Sequence, residues 1–309
     1  MDISVVVPVY GCKEALPELH RRLVNVLEGM KLTFEIVLVD DSDPQNSWEA
    51  IKSLCTLDER VHGIKLSRNF GQIRAITAGL DHCKGDWVVV MDCDLQDRPE
   101  SISELYEKAQ EGYDVVFARR IERKDNALTK FLSKSFYKVY EYFTDGNYDP
   151  SLCNFSIARK EVIRQYCSMR EHNRGYTVFV KWLGFKQTAI DLKGDERFAG
   201  SSSYNLRRKL GMAFELITAQ SNKPLRFSVN MGFAVSALSF VILVVNVLRK
   251  IISADVAIGW TSMICSIFFM GGLILAAVGV VGLYVGNIFT EVKHRPLYVV
   301  ETQLNGEGK

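Results

Sequence analysis

The chain has 309 residues, enough for one large domain or two modest ones. Its 38 Lys+Arg against 36 Asp+Glu leave a formal net charge of +2, which excludes the broad basic field of a nucleic-acid binder. The seven cysteines (Cys12, Cys55, Cys83, Cys93, Cys153, Cys167, Cys265) are scattered, with no C-x-x-C pair and no His/Cys cluster; that argues against a disulfide framework and structural zinc, and fits a reducing compartment.

The opening "MDISVVVPVY" carries an acid at position 2 and reads as a strand rather than a secretory leader. A helix is predicted over Glu14–Glu28, with Leu16, Leu19, Leu23 and Leu27 on one face. "FEIVLVD" is a second strand, followed by a helix over about 46–57. "HGIKLS" is a third strand and Gln72–His82 a helix; then come "WVVVMD", a helix from Pro99, and "DVVFA". Strands alternating with helices predict an α/β fold with a doubly wound, mostly parallel sheet covered on both faces. Ligands of such sheets sit beyond the carboxyl ends of the strands. Those ends carry Tyr10–Gly11, Asp40–Asp41, Ser67–Asn69, Asp92–Asp94 and Arg119–Arg120, so one rim collects the polar residues.

Three carboxylates, Asp92, Asp94 and Asp97, close the fourth strand and need a positive partner. The first turn, "VYGCKEAL", has one glycine and lacks the G-x-G-x-x-G of a dinucleotide site; G-x-x-x-x-G-K-[ST] is absent from the chain. Asp92 and Asp94 leave the strand end toward the same side, because side chains alternate with period two. Hard oxygens so placed suit Mg²⁺ or Mn²⁺, which neutralises a diphosphate. A solvated acidic loop is the plainer explanation of D-x-D alone, but the end of a buried strand opposite Asp40–Asp41 favours the metal.

Farther along, the segments 126–143 and 204–222 place aromatic and basic residues beside apolar stripes, a pattern suited to a membrane interface or to packing on the sheet. Uncharged stretches follow at Phe227–Leu248 and Ile258–Thr290, each longer than the ~20 residues that cross a bilayer core. Arg207, Arg208, Lys209, Lys223 and Arg226 precede the first, and Lys293 and Arg295 follow the second; only Arg249 and Lys250 lie between. The positive-inside bias then puts both chain ends in the cytoplasm. Gly272, Ala276, Gly279, Gly282 and Gly286 suit close helix packing, either within the chain or in a homo-oligomer. The expected division is a catalytic domain over 1–203, an amphipathic juxtamembrane helix over 204–226, two membrane helices over 227–290 and a cytoplasmic tail over 291–309.

"SVVVPVY", "EIVLVDDSDPQNS", "LSRNFGQIRAITAGL", "GDWVVVMDCDLQDRPE" and "GYDVVFARRIERKD" resemble, in order and spacing, family 2 glycosyltransferases of GT-A fold. The paired spans make the chain similar to the polyprenyl-phosphate sugar transferases, the group of bactoprenol glucosyltransferases and dolichol-phosphate mannose synthases. The resemblance implies that Asp92 and Asp94 meet the metal and the donor diphosphate, with Gln96 close by. It implies a nucleotide-sugar pocket lined by Pro8, Tyr10, Asp40, Asp41, Arg68, Asn69 and Gln72. Arg120 and Arg123 match basic positions facing donor or acceptor phosphates, and Arg197 a segment that closes over the site; guanidinium forks suit phosphate oxygens.

The chain departs from that pattern at Gly11–Cys12 (Asn-Glu in relatives), Arg98 (proline) and Ser203 (lysine). Asn154 stands where relatives carry an aspartate that is a candidate general base, and Asp149 is the fallback. A lipid monophosphate, with a second pKa of about 6, is already a nucleophile at neutral pH and needs no base. The implied reaction is inverting transfer from a nucleotide-diphosphate sugar to a polyprenyl phosphate at the inner face of a bacterial plasma membrane. A sugar hydroxyl on a lipid-linked glycan is the alternative acceptor, and a non-catalytic partner of a flippase the alternative class.

Overall fold

The computed structural model describes residues 1–120, 152–192, 221, 223–252 and 259–306. The alternation read from the sequence is present: β1 (Ile3–Val9), α1 (Leu16–Gly29), β2 (Phe34–Asp40), α2 (Ser47–Leu57), β3 (Val61–Leu66), α3 (Gln72–His82), β4 (Trp87–Val90), α4 (Ser101–Gln110) and β5 (Val115–Arg120). Then come β6 (Leu152–Arg159), α5 (Lys160–Ser168), α6 (Tyr176–Trp182), β7 (Gln187–Leu192), α7 (Lys223–Ile252), α8 (Trp260–Val292) and β8 (Val300–Leu304).

The strands form one eight-stranded sheet in the order β7-β5-β6-β4-β1-β2-β3-β8. β1 runs parallel to β2, from Ile3 opposite Phe34 to Val9 opposite Asp40, and parallel to β4 on its other side. Asp40 lies opposite Lys65 of β3. The carboxyl ends of β1 to β4 are therefore level, and the turns after them share one rim. β6 runs antiparallel between β4 and β5, and β8 antiparallel along the outer edge of β3.

Both faces of the sheet's central strands are buried. On one, Val5, Val7 and Val9 of β1 pack with Leu16, Leu19, Leu23 and Leu27 of α1, the stripe expected from the leucine spacing. On the other, Val6, Val37 and Val90 meet Ala75, Ile76 and Ala78 of α3 and Tyr166 of α5. Each such aliphatic side chain contributes roughly 1.5–3 kcal/mol on leaving water. Gly79 lets α3 settle on β1: a Cβ there would stand 2.3 Å from Cγ1 of Val6.

The described residues fall into two compact units, one holding the whole sheet with β8, the other the two long helices. α7 and α8 lie against each other, and Phe233, Phe240, Phe268 and Leu275 are each more than 60% exposed. Each helix contains a span long and apolar enough to cross a membrane, with none of its apolar window buried in protein. That disfavours the soluble-core explanation. The residues expected as a simple tail instead return to the sheet as β8.

Candidate active site

The site is built from four turns at the rim. After β4 the chain alternates strictly: Met91, Cys93, Leu95 and Asp97 are buried, whereas Asp92, Asp94 and Gln96 are half-exposed on the open side. The period-two argument thus holds through the motif. Leu95 takes a left-handed conformation (φ 59°) that turns the chain back, and Asp94 Oδ1 accepts the Gln96 backbone N–H at 3.1 Å. Gln72, the first residue of α3, donates from Nε2 to Asp92 Oδ1 at 2.7 Å. Two motifs about twenty residues apart in sequence, R-N-F-G-Q and D-C-D, thereby meet across one hydrogen bond.

The turn after β2 does different work. Asp41 is only 3% exposed and accepts the backbone N–H groups of Phe70 (2.7 Å) and Gly71 (2.8 Å). Burial raises its pKa most; those two bonds, then the Arg74 and Arg68 guanidiniums, oppose the rise. Asp40 is buried too, accepts the Asp43 amide at 3.2 Å, and burial pushes its carboxyl up to about 6. Asp43 accepts from the Gln45 amide and the Ser47 hydroxyl. Of this turn, Asp40 and Asp41 are the residues expected in the nucleotide-sugar pocket; in the structure Asp40 bonds within the turn, and Asp41 holds the Arg68–Gln72 loop against it. Gly71 has φ +95°, a region where only glycine is unstrained, which lets the loop take the tight turn there.

Pro8 is buried in β1, whereas Tyr10 is 53% exposed at the mouth of the rim. Arg68 is exposed with its guanidinium 4.2 Å from the Phe70 ring, and Asn69 is exposed beside it. Arg74, which sequence reasoning did not single out, braces the loop from behind by donating to the Phe70 carbonyl at 3.0 Å. On β6, Ser156 lies opposite Val90 in an antiparallel ladder. Two residues back along β6, Asn154 therefore reaches the rim level at which Asp92 follows β4. Arg120 ends β5. Arg123, Asp149 and Arg197, with the segments 126–143 and 204–220, lie outside the described residues.

One expectation is corrected here. Cys12, in the turn after β1, and Cys93, between the two acids, form a disulfide with Cα atoms 6.0 Å apart. They are 81 residues apart in sequence, so their spacing held no signal. Cys55, Cys83, Cys153 and Cys167 are thiols outside any disulfide.

Among the described residues no group of three or more His, Cys, Asp or Glu could by itself hold a metal. Asp92 and Asp94 nonetheless fit one. Mg²⁺-type ions are commonly held by one or two carboxylates with substrate phosphates completing the shell, and the two acids are half-exposed at alternate positions of a single turn.

The sequence profile of Glycosyl transferase family 2 matches residues 4–173. The chain is 36% identical to the uncharacterized glycosyltransferase YkcC of Bacillus subtilis, over 100% of this chain and 96% of that one. It is 33% identical to the bactoprenol glucosyl transferase of Shigella phage SfV, over 98% and 99% of the two chains. With the undecaprenyl-phosphate 4-deoxy-4-formamido-L-arabinose transferase of Shewanella sediminis it shares 32% identity over 99% and 93%. Among solved structures, mannosyl-3-phosphoglycerate synthase from Rubrobacter xylanophilus superposes with a TM-score of 0.52 at 17% identity, covering 70% and 72%. Glucosyl-3-phosphoglycerate synthase from Mycobacterium tuberculosis, in complex with Mn²⁺, UDP and phosphoglyceric acid, superposes at 0.51 and 16% identity, covering 70% and 76%. At such identities the likeness concerns the GT-A fold.

Proposed function

This chain belongs to glycosyl transferase family 2, and from that premise we propose that it transfers a sugar from a nucleotide-diphosphate sugar to a polyprenyl phosphate on the cytoplasmic face of a membrane. The observation that carries the reading is the pairing of Asp92 and Asp94, half-exposed at the sheet rim, with two long apolar helices in the same chain. Full-length similarity to transferases named for bactoprenol and undecaprenyl phosphate supports the acceptor.

Asp92 and Asp94 would hold Mg²⁺ or Mn²⁺ together with the donor diphosphate. When bound, the ion supplies Lewis-acid stabilisation of the departing nucleoside diphosphate. Gln72 fixes the rotamer of Asp92 through its 2.7 Å bond, so one carboxylate is oriented before the donor arrives. The nucleoside lies over Pro8 and Tyr10, beside the Arg68–Gln72 loop that Asp41 pins. Arg120, Arg123 and Arg197 are assigned to the phosphates of donor and acceptor. The lipid phosphate attacks the anomeric carbon from the face opposite the leaving group, giving inversion. Asn154 cannot take a proton, and a phosphate dianion needs no base, so residue and acceptor agree.

Topology has support from the sheet. β8 is hydrogen-bonded to β3, so the chain before α7 and after α8 occupies one side of any bilayer. Two crossings agree with that, and the basic flanks support the cytoplasmic side.

The test offers purified protein undecaprenyl phosphate with UDP-, GDP- and dTDP-sugars and Mn²⁺ or Mg²⁺, with mass spectrometry for a glycosyl-phospho-lipid. A lipid product that falls at least 100-fold in Asp94→Asn is expected. Metal-dependent donor binding with no lipid product would move the acceptor to a glycan hydroxyl, the second reading, and make a base other than Asn154 necessary.

A further inference from the structure

The geometry points to a redox modification site inside the donor rim: we propose that Cys12 and Cys93 interconvert between a dithiol and a disulfide, and that the disulfide weakens metal–nucleotide binding. The inference rests on the reading of Asp92 and Asp94 given above. The two cysteines come from turns after different strands, β1 and β4, and are joined with Cα atoms 6.0 Å apart, inside the range a bridge spans. Cys93 is buried in the core cluster that also holds Val9, Met91 and Leu95, and half-buried Cys12 packs against that cluster. The bond therefore ties the residue between the two acids to the turn after β1.

Its position is what couples it to binding. Cys93 is the residue between Asp92 and Asp94, so any backbone shift that brings both carboxylates onto one ion passes through it. With the bridge closed, that residue is tied to the turn that carries Tyr10 and Gly11. The other described cysteines, Cys55, Cys83, Cys153 and Cys167, are thiols, as a reducing compartment maintains. In such a compartment a lone bridge at a site is transient, and the dithiol is the working form.

The chemistry closes with a low-molecular-weight disulfide as oxidant. The more accessible Cys12 thiolate attacks one sulfur of the small disulfide, forming a mixed disulfide and releasing one small thiol. Cys93 then attacks the Cys12 sulfur and expels the second. Two protein thiols are oxidised, the small disulfide is reduced to two thiols, and these carry away the two protons. Excess small thiol reverses both steps.

The experiment equilibrates the full-length protein in lipid nanodiscs across ratios of reduced and oxidised glutathione. Differential alkylation with peptide mass spectrometry maps the bridge, and electron paramagnetic resonance titrates Mn²⁺ with and without UDP. A Cys12–Cys93 linked peptide is expected at oxidising ratios, with Mn²⁺–UDP affinity at least fivefold weaker and restored by dithiothreitol. Cys12→Ser should lose the response to glutathione; Cys93→Ser provides the same readout if the first variant does not fold. Absence of the linked peptide at every ratio, or a linked form whose affinity is equal or higher, overturns the proposal. A reduced protein that binds neither Mn²⁺ nor Mn²⁺–UDP overturns instead the metal-site reading, and the gating falls with it.

Discussion

At the scale of single residues, the rim separates half-exposed acids, Asp92 and Asp94, from buried acids whose bonds hold the fold. Asp92 is half-exposed and accepts a hydrogen bond from the neutral amide of Gln72. Gln72→Ala should raise the donor KM about five- to tenfold, the effect of losing about 1–1.5 kcal/mol of positioning. Gln72→Glu should be worse, because it sets a second negative charge beside Asp92; steady-state kinetics across donor and Mn²⁺ concentrations would separate the two. Equal kinetics in both variants would remove Gln72 from the site. Asp40 belongs to the other class. Burial holds its carboxyl up at about 6 in the folded chain, above the ordinary value of 3.8. The native state therefore binds this proton more tightly than the unfolded state does, and the residue's contribution is most favourable below about pH 4. It declines as pH rises through about 6. Asp40→Asn keeps an oxygen for the Asp43 amide and should raise stability at pH 7 by on the order of 2 kcal/mol, with little change at pH 4. Thermal unfolding at the two pH values checks the sign.

At the scale of elements, β8 is the part whose loss the sheet would feel most. It covers the free edge of β3 and ties Lys65 to Glu301 at 2.8 Å. Around it, Tyr298 donates to Asp81 at 2.7 Å, and Asp81 also receives both arms of Arg170. Asn305 donates to the carbonyls of Cys55 and Val61 at 2.7 and 2.9 Å. Ser67, where the Arg68–Gln72 loop begins, donates its amide to Val299. Deleting residues 297–309 should lower the melting temperature by several degrees and promote association through the bare edge. Because that strand also holds the start of the donor loop, donor affinity should fall in molecules that remain folded. Tyr298→Phe alone should cost about 1 kcal/mol. A truncated chain with wild-type melting and binding would show that β8 is dispensable.

At the scale of the whole molecule, the return of the chain to the sheet constrains the membrane arrangement. An antiparallel ladder between β3 and β8 cannot form across a bilayer, so the proposed two-span arrangement, with both ends of the α7–α8 passage on one side, is the one that agrees with it. In sealed inverted membrane vesicles, a tag appended after Lys309 should be digested by added protease, as should the catalytic unit. A protease site engineered between α7 and α8 should survive until detergent is added. Protection of the C-terminal tag would contradict either the ladder or the two-span reading.

Period and local chemistry carried the sequence a long way. The 2.0 and 3.6 repeats marked β1 to β5 and the helices between them. The alternation in "MDCDLQD" put Asp92 and Asp94 on one side, and uninterrupted apolar length marked α7 and α8. These features depend on neighbours within a few residues, so a linear reading finds them. Tertiary structure alone decided that β6 runs backward between β4 and β5, and that residues beyond α8 close the edge of β3. It also committed Asp41 to the amides of Phe70 and Gly71, and brought Cys12 to Cys93. Each of these joins groups distant in sequence, and no local repeat names the partner; the partner is set by which edges and buried polar groups remain unsatisfied once the core has packed.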